Sequence, residues 1–244
     1  MKMLPDKMRR LLAFNLLNRD LWMAAQAALV PPGSTVLDVG AGSCPYRKLF
    51  DHCEYLTQDF QQLPDEQLRH GGYGCIDYVC DAAAIPVRDS SFDVVICTEV
   101  IEHVAEPQRL LQEFSRILKP SGLLLLTAPL GSGIHQEPHH YYGGFTPFWY
   151  RRFLPEQGFE DISVEPNKGS LAFFSQESLR FLQSTSPWRL RAHLMVRVVW
   201  ALVWLGLLPV LGVVVPIAAH ALDGYDREKR FTVGYHVKAR KRCS

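Results

Sequence analysis

Strand-like and helix-like spacings of apolar residues alternate along most of this 244-residue chain. Strand signals recur near residues 35–39, 54–58, 76–80, 92–97, 122–128, 162–165 and 232–239. Apolar residues at helical spacing predict helices near residues 6–30, 45–51, 106–118 and 146–156. Wholly apolar runs such as Leu123–Leu126 suit a parallel sheet that is covered on both faces. The pattern therefore predicts an α/β protein with helices on both sides of a mostly parallel sheet.

Residues 167–228 interrupt this alternation before the last predicted strand. Their centre, Val198–Ala219, is 22 residues long and has no formal charge, which is enough to cross a bilayer. A single crossing is not expected, because it would leave the last strand on the opposite side of the membrane from its sheet. Pro209 is instead expected to split the run into two short pieces.

Basic residues precede the apolar run at helical spacing. Arg189, His193 and Arg197 are four residues apart, so a continuous helix would place them on one face, with two tryptophans beyond them. A basic stripe beside tryptophans and a large apolar surface is typical of a helix or re-entrant hairpin in the membrane interface. The segment 189–221 is therefore expected to contact a membrane peripherally. A homodimer interface or packing on the core is the alternative.

Composition agrees with one folded domain and an appendage. Hydrophobic residues make up 48% of the chain and charged residues 21%, and the net charge of +1 gives no indication of a nucleic-acid partner. The six cysteines form no C-x-x-C pair, so we expect a reducing compartment, the cytoplasm or the inner face of the membrane. Asn15 interrupts the apolar run near the N-terminus, and we expect no signal peptide. The predicted parts are an N-terminal helix (1–33), a core (34–166 and 229–240) and a helical insertion (167–228).

The first predicted strand leads into an acidic residue and a glycine turn, Asp38-Val39-Gly40-Ala41-Gly42. Glycines let the backbone turn tightly and approach a ligand, as in nucleotide-binding α/β proteins. The dinucleotide fingerprint would need a third glycine at position 45, where this chain has proline. Asp38 would repel a pyrophosphate and attract a cation. The arrangement therefore favours S-adenosylmethionine, which has an ammonium and a sulfonium, over a nicotinamide or flavin dinucleotide.

Further motifs follow this turn in the order and spacing of a known family. Together with the turn they are Val36–Gly42, Tyr55–Asp59, Cys80–Ala83, Ser91–Cys97, Glu99–Val104 and Leu118–Leu126. Over residues 30–165 the chain resembles the class I S-adenosylmethionine-dependent methyltransferases with a type 11 domain, although it has Cys44 where many members have a third glycine. The resemblance implies a Rossmann-like, seven-stranded, mostly parallel sheet. Its antiparallel last strand is expected between strands five and six.

The same resemblance implies a set of cofactor-binding residues. They are Asp38, Gly40, Gly42, Asp59, Asp81, Ala82 and Glu99. Asp38 is expected near the methionine ammonium, Asp59 near the ribose hydroxyls and Asp81 near the adenine.

Glu99, Glu102 and His103 form an E-x-x-E-H pattern that permits two interpretations. The side chains could converge on a divalent cation, with a further ligand from the histidines downstream. Alternatively, they shape the turn over the methyl donor, as similar sequences do without a metal. We expect the second role and no bound metal.

A loop rich in histidine and tyrosine, residues 131–146, follows the fifth predicted strand. Open α/β sheets bind their substrates at the carboxyl ends of the strands, where this loop lies. His135, His139 and Tyr142 are therefore candidates for orienting a hydroxyl nucleophile or accepting its proton. The alternative is that His139 and Tyr142 only cap the next helix.

The expected activity is methyl transfer to a small or amphiphilic acceptor, with oxygen as the acceptor atom. If the insertion contacts a membrane, a lipid-linked sugar, a quinone precursor or an isoprenoid would fit. The motif typical of amino-methylating enzymes is missing, since Thr127-Ala128-Pro129-Leu130 has no amide side chain to hold an amine. A regulatory protein that binds the cofactor without catalysis is the alternative.

Overall fold

The computed structural model describes residues 13–243 and contains a seven-stranded sheet in the order β3-β2-β1-β4-β5-β7-β6. The strands are β1 (Thr35–Val39), β2 (Glu54–Asp59), β3 (Tyr78–Val79), β4 (Phe92–Thr98), β5 (Leu118–Pro129), β6 (Phe159–Pro166) and β7 (Gly234–Lys241). The first five strands pair in parallel, and β7 runs antiparallel to β5, with Leu126 opposite Val237. The predicted sheet, with its antiparallel last strand between strands five and six, is confirmed.

Alternation of side chains along the strands divides the core between the two faces of the sheet. Outside the insertion, the α-helices among residues 13–243 are α1 (Phe14–Ala27), α2 (Pro107–Ile117) and α3 (Pro147–Glu156). Val36 of β1 packs on one face with Met23 of α1. Its neighbour Leu37 packs on the other face with Phe114 of α2. Helices on both faces of the sheet are therefore confirmed.

Some elements are shorter than the sequence pattern predicted. The connection between β1 and β2 contains a single 3₁₀ turn, Arg47–Phe50, in place of the helix predicted near 45–51. The third strand is reduced to Tyr78–Val79. The predicted helix 6–30 lies partly outside the described residues, and within them it ends at Ala27.

The insertion belongs to a compact unit of its own. Among the described residues, this hairpin unit consists of Pro166–Val233 and residues 13–18, whereas the sheet unit consists of Arg19–Glu165 and residues 234–243. The insertion contains α4 (Ser170–Ser184), α5 (Leu194–Pro209) and α6 (Val215–Leu222).

A single π-turn, Val210–Val214, joins α5 to α6, so that Leu194–Tyr225 is one continuous helix of 32 residues. The predicted split at Pro209 is wrong. The helix continues past Pro209 although the proline has no N–H to donate to the carbonyl four residues earlier, and the π-turn follows directly. The Ser178 hydroxyl also donates to the carbonyl of Leu211 within this turn, at 3.0 Å.

The long helix and α4 form an antiparallel hairpin. Near the start of α4, the Asp223 carboxylate accepts hydrogen bonds from the backbone N–H groups of Gly169 and Ala172, at 3.0 Å each. Near the end of α4, the indole N–H of Trp204 donates to the carbonyl of Leu182 at 3.1 Å. Both ends of α4 are thus bonded to the long helix, which has one face covered by α4.

The opposite face of the long helix is apolar and exposed. Leu202 is 68% exposed, and the other large apolar side chains that are more than half exposed are Leu194, Met195, Val196, Val198, Val199, Leu205, Val213, Val214 and Ile217. No part of the most apolar 18-residue window of this helix is buried. The predicted helical hydrophobic insertion is confirmed, and by length and composition alone this helix could cross a membrane.

The predicted helical stripe of Arg189, His193 and Arg197 is wrong. Because α5 begins at Leu194, Arg189 and His193 lie in the turn between α4 and α5. Pro187 prevents α4 from continuing into this segment. The basic residues therefore cluster at the tip of the hairpin instead of following one helical face.

Candidate active site

The turn after β1 requires glycine at its first position. Gly40 and Gly42 have φ values of +68° and +50°, a region that residues with a Cβ rarely adopt. A Cβ on Gly40 would lie 2.3 Å from Cγ2 of Val100. Since Val100 follows β4, this close approach fixes the turn against the carboxyl end of the neighbouring strand.

Asp38 is almost completely buried in β1, with 1% of its surface exposed. Burial raises the pKa of Asp38 to about 7, although a hydrogen bond donated by the Tyr55 hydroxyl acts in the opposite direction. A cation bound beside this carboxyl would favour its charged form. Tyr55 was not a candidate from the sequence, because nothing in the strand pattern indicates that its hydroxyl meets Asp38.

Two side chains at the end of β2 accept hydrogen bonds from the backbone of the glycine turn. One carboxylate oxygen of Asp59 accepts a hydrogen bond from the Gly42 N–H and the other accepts one from the Gln61 N–H, both at 2.9 Å. The Gln58 side chain accepts from the Gly40 N–H at 3.3 Å. Burial raises the pKa of Asp59, and the backbone donors partly offset this effect. Asp59 is thus buried in direct contact with the turn.

The remaining expected cofactor residues follow β3 and β4. Asp81 is exposed and accepts a hydrogen bond from the backbone N–H two residues later, at 2.9 Å, whereas Ala82 is buried. Glu99 accepts a hydrogen bond from the Thr127 hydroxyl at 2.9 Å and forms an ion pair with Arg19 at 3.2 Å. Both carboxylate oxygens of Glu99 are therefore engaged by protein groups.

A loop that the sequence analysis did not include packs on the glycine turn. The Gly74 N–H donates to the carbonyl of Gly42 at 2.8 Å, and Leu68 lies next to the same glycine. Cys44 has a φ of +52°, and its Sγ would be 2.5 Å from a Cβ on Gly74. No periodic pattern marks residues 60–75, so this contact could not be found without the fold.

The histidine loop after β5 does not bring its three candidate side chains to one point. The Tyr142 hydroxyl donates to the carbonyl of Ala105 at 2.9 Å. The His139 ring meets Phe60 edge-on, with ring centroids 5.0 Å apart. Because Phe60 directly follows Asp59, His139 lies next to the end of β2.

His135 lies elsewhere in this loop, beside two other imidazoles. Its ring centroid is 4.8 Å from that of His103 and 4.5 Å from that of His140. Glu102, which precedes His103, is fully buried. The loop thus meets two members of the E-x-x-E-H pattern, while the third, Glu99, is paired with a different part of the sheet unit.

Comparison with protein families identifies the segment that contains this site. Residues 37–126 match a family model described as a methyltransferase domain. Over these residues the chain is similar to methyltransferase domains. S-adenosylmethionine, the cofactor that the glycine turn and the following motifs predict, is bound in a solved structure of similar fold, the phosphoethanolamine N-methyltransferase 2 of Haemonchus contortus.

Curated relatives of the methyltransferase domain match part of this chain. An uncharacterised methyltransferase of Mycobacterium sp. (strain KMS) is 35% identical over 136 residues, which are 51% of this chain and 52% of the relative. Another, from Mycobacteroides abscessus, is 33% identical over 150 residues, which are 54% of this chain and 56% of the relative. The chain spans about half the length of the curated relatives it matches.

Solved structures with a similar fold extend over most of the chain. The cyclase SpnF matches with a TM-score of 0.55 at 18% identity, over 93% of this chain and 81% of SpnF. The phosphoethanolamine N-methyltransferase 2 of Haemonchus contortus matches with a TM-score of 0.52 at 18% identity, over 93% of this chain and 53% of that protein. At these identities, the similarities establish the Rossmann-like methyltransferase fold.

Proposed function

We propose that this chain transfers the methyl group of S-adenosylmethionine to an oxygen atom of a small or amphiphilic acceptor. The observation that carries the proposal is the position of the buried Asp38, the glycine turn and the histidine loop at one edge of the parallel strands. The sulfonium already activates the methyl, so the protein mainly aligns donor and acceptor and excludes water. The S–C bond breaks as the C–O bond forms in line with it.

Asp38 binds the ammonium of the methionine part, because a cation there compensates its buried carboxylate. Gly40 and Gly42 let the backbone pass close to the cofactor. Asp59 accepts hydrogen bonds from the ribose hydroxyls. Each of its carboxylate oxygens accepts one hydrogen bond within the protein, from the N–H of Gly42 or of Gln61, and has a lone pair left for a hydroxyl.

The cofactor's adenine lies beyond β3. One carboxylate oxygen of the exposed Asp81 accepts a backbone hydrogen bond and the other remains to accept one from the adenine amino group, while the buried Ala82 provides an apolar wall. Glu99, held by Thr127 and Arg19, supports the methionine end of the site.

At least one of His135, His139 and Tyr142 faces the acceptor. It hydrogen-bonds an acceptor hydroxyl and orients the hydroxyl oxygen toward the methyl group. His139 lies next to Asp59 through Phe60, and His135 lies beside His103, so together they border the edge of the sheet that receives the cofactor.

The hairpin unit favours an amphiphilic acceptor, because its exposed apolar face suits a membrane surface. The 32-residue helix is about 48 Å long at 1.5 Å per residue. Trp188, Arg189 and Arg191 lie in the turn at the hairpin tip, and such side chains favour the lipid headgroups. Insertion tip-first would bury these arginines in hydrocarbon, whereas a helix in the plane of the interface leaves them among headgroups. The acceptor is then a lipid-linked sugar, a quinone precursor or an isoprenoid.

Transfer of a labelled methyl group tests the proposal. The full chain is incubated with methyl-labelled S-adenosylmethionine and either a lipid extract or a mixture of water-soluble hydroxy compounds. The expected result is a labelled lipid product with the wild type and, at a cofactor concentration below saturation, at least tenfold less with Asp38→Ala. Transfer only to water-soluble compounds would contradict the amphiphilic acceptor. Cofactor binding without transfer to any acceptor would contradict catalysis and favour a regulatory protein.

A further inference from the structure

We propose that Glu102, His103 and His135 form a binding site for one divalent transition-metal ion. The ligand atoms of these three side chains all lie within 4.8 Å of one another, on two loops at the carboxyl edge of the sheet. One ligand is a carboxylate and two are imidazoles; Glu102 and His103 are adjacent in the chain, and His135 follows 32 residues after His103.

Glu102 gives the strongest reason to place a cation here. Its side chain is fully buried, and neither carboxylate oxygen has a hydrogen-bond partner among residues 13–243. A buried carboxylate without partners is costly in a folded protein, so such a group is normally paired or bound to a metal. The nearby Arg19 does not fill this role, because its guanidinium is paired with Glu99.

His103 is oriented as metal-binding histidines usually are. Its Nδ1 lies 2.8 Å from the carbonyl oxygen of His139, which can only accept, so Nδ1 carries the proton. The unprotonated Nε2 is buried, has no hydrogen-bond partner among the described residues, and lies 3.8 Å from a carboxylate oxygen of Glu102. A backbone carbonyl that fixes the tautomer of a ligating histidine in this way is the common outer-shell arrangement at metal sites.

His135 completes the set from the exposed loop. Its Nδ1 lies 2.9 Å from the carbonyl oxygen of Gly133, so its Nε2 is the available ligand atom. Metal–nitrogen distances of about 2.0–2.1 Å require the ligand atoms to approach by about 1 Å. The exposed position of His135, in a loop with Gly131 and Gly133, permits that movement.

The ligand set selects the class of metal. Two imidazoles and one carboxylate suit Zn²⁺, Fe²⁺ or Co²⁺, whereas Mg²⁺ and Ca²⁺ prefer oxygen ligands. Three protein ligands leave a coordination position open, as in catalytic zinc sites. Polarisation of an acceptor oxygen at that position would assist methyl transfer, and this role rests on the proposed function.

Metal binding by the full chain tests the site without cofactor or acceptor. Protein freed of metal with a chelator is titrated with Co²⁺, followed by its visible absorption bands, and with Zn²⁺ in competition. One equivalent is expected to bind. Both His135→Ala and Glu102→Gln are expected to lower the affinity at least tenfold, while His70→Ala, an exposed histidine of the same unit, leaves it unchanged.

Several results would overturn the site. They are the absence of a one-equivalent titration, an affinity of His135→Ala equal to that of the wild type, or equal competition by Mg²⁺. His135 is exposed, so its alanine variant keeps the test valid even if Glu102→Gln fails to fold. Because the titration needs neither S-adenosylmethionine nor an acceptor, its failure is distinct from failure of methyl transfer.

Discussion

Two leucines show how differently the two units use apolar residues. Leu111, on α2 of the sheet unit, is fully buried, whereas Leu202, on the long helix of the hairpin unit, is 68% exposed. Both lie on helices, and both helices have a covered face. In the sheet unit the apolar residues build a core, while on the long helix a whole apolar face is left to water. A contiguous apolar face of this kind is typical of surfaces that contact an apolar partner.

Matched alanine substitutions give the largest expected contrast. Leu111→Ala should lower the free energy of unfolding by about 2–5 kcal/mol, because it leaves a cavity in the core. Leu202→Ala should change it by less than about 0.5 kcal/mol, because an exposed side chain loses few contacts. Urea unfolding followed by circular dichroism measures both. Equal losses in the free energy of unfolding would mean that the exposed apolar face of the long helix is packed in the isolated protein.

The next largest effect is expected from a charge on the exposed apolar face of the long helix, which should weaken membrane binding but not folding. Leu202→Asp removes about 1.5–3 kcal/mol of side-chain burial in the interface, so the partition coefficient onto anionic vesicles should fall at least tenfold. Leu29→Asp is the matched control, since this leucine is 75% exposed in the sheet unit. If both variants bind vesicles as the wild type does, the membrane assignment is wrong. Dissociation of a dimer by Leu202→Asp in sedimentation, without any vesicle binding, would assign the face to a second copy.

The cofactor site should respond only to changes in the sheet unit. Asp38→Ala removes the carboxylate proposed for the methionine ammonium and should weaken S-adenosylmethionine binding at least tenfold, or about 1.4 kcal/mol. Calorimetric titration measures this affinity, with Leu202→Asp as the control that should bind normally. Unchanged affinity in Asp38→Ala would contradict the role of Asp38.

The smallest expected effect is a pH dependence of cofactor binding. Because burial raises the pKa of Asp38 to about 7, the cofactor-free protein keeps this group neutral at lower pH. The contribution of the neutral Asp38 side chain to the stability of the cofactor-free protein is therefore present at low pH and lost as the pH rises through about 7. Binding of a cation needs the charged form, so affinity should rise several-fold between about pH 6 and pH 7.5. The profile of Asp38→Asn should be flat, and a wild-type profile that falls with pH would contradict the assignment.

Local patterns predicted the sheet, its last strand and the glycine turn, because each depends on the periodicity or on the residue types within one short segment. Contacts between distant segments could not be predicted in this way. The hydroxyl of Tyr55 on Asp38 and the loop at Gly74 on the glycine turn depend on how the strands are ordered. The split predicted at Pro209 failed for another reason, since the helix continues through the proline into the π-turn and α6.

One flotation experiment tests most directly whether the sheet unit binds the cofactor and the hairpin unit binds the membrane. The full chain is mixed with labelled S-adenosylmethionine and anionic vesicles and is then centrifuged through a density gradient. The wild type should float with the label. Leu202→Asp should stay at the bottom of the gradient with its label, and Asp38→Ala should float without it. Loss of both properties in either variant, or a wild type that never floats, would contradict the account.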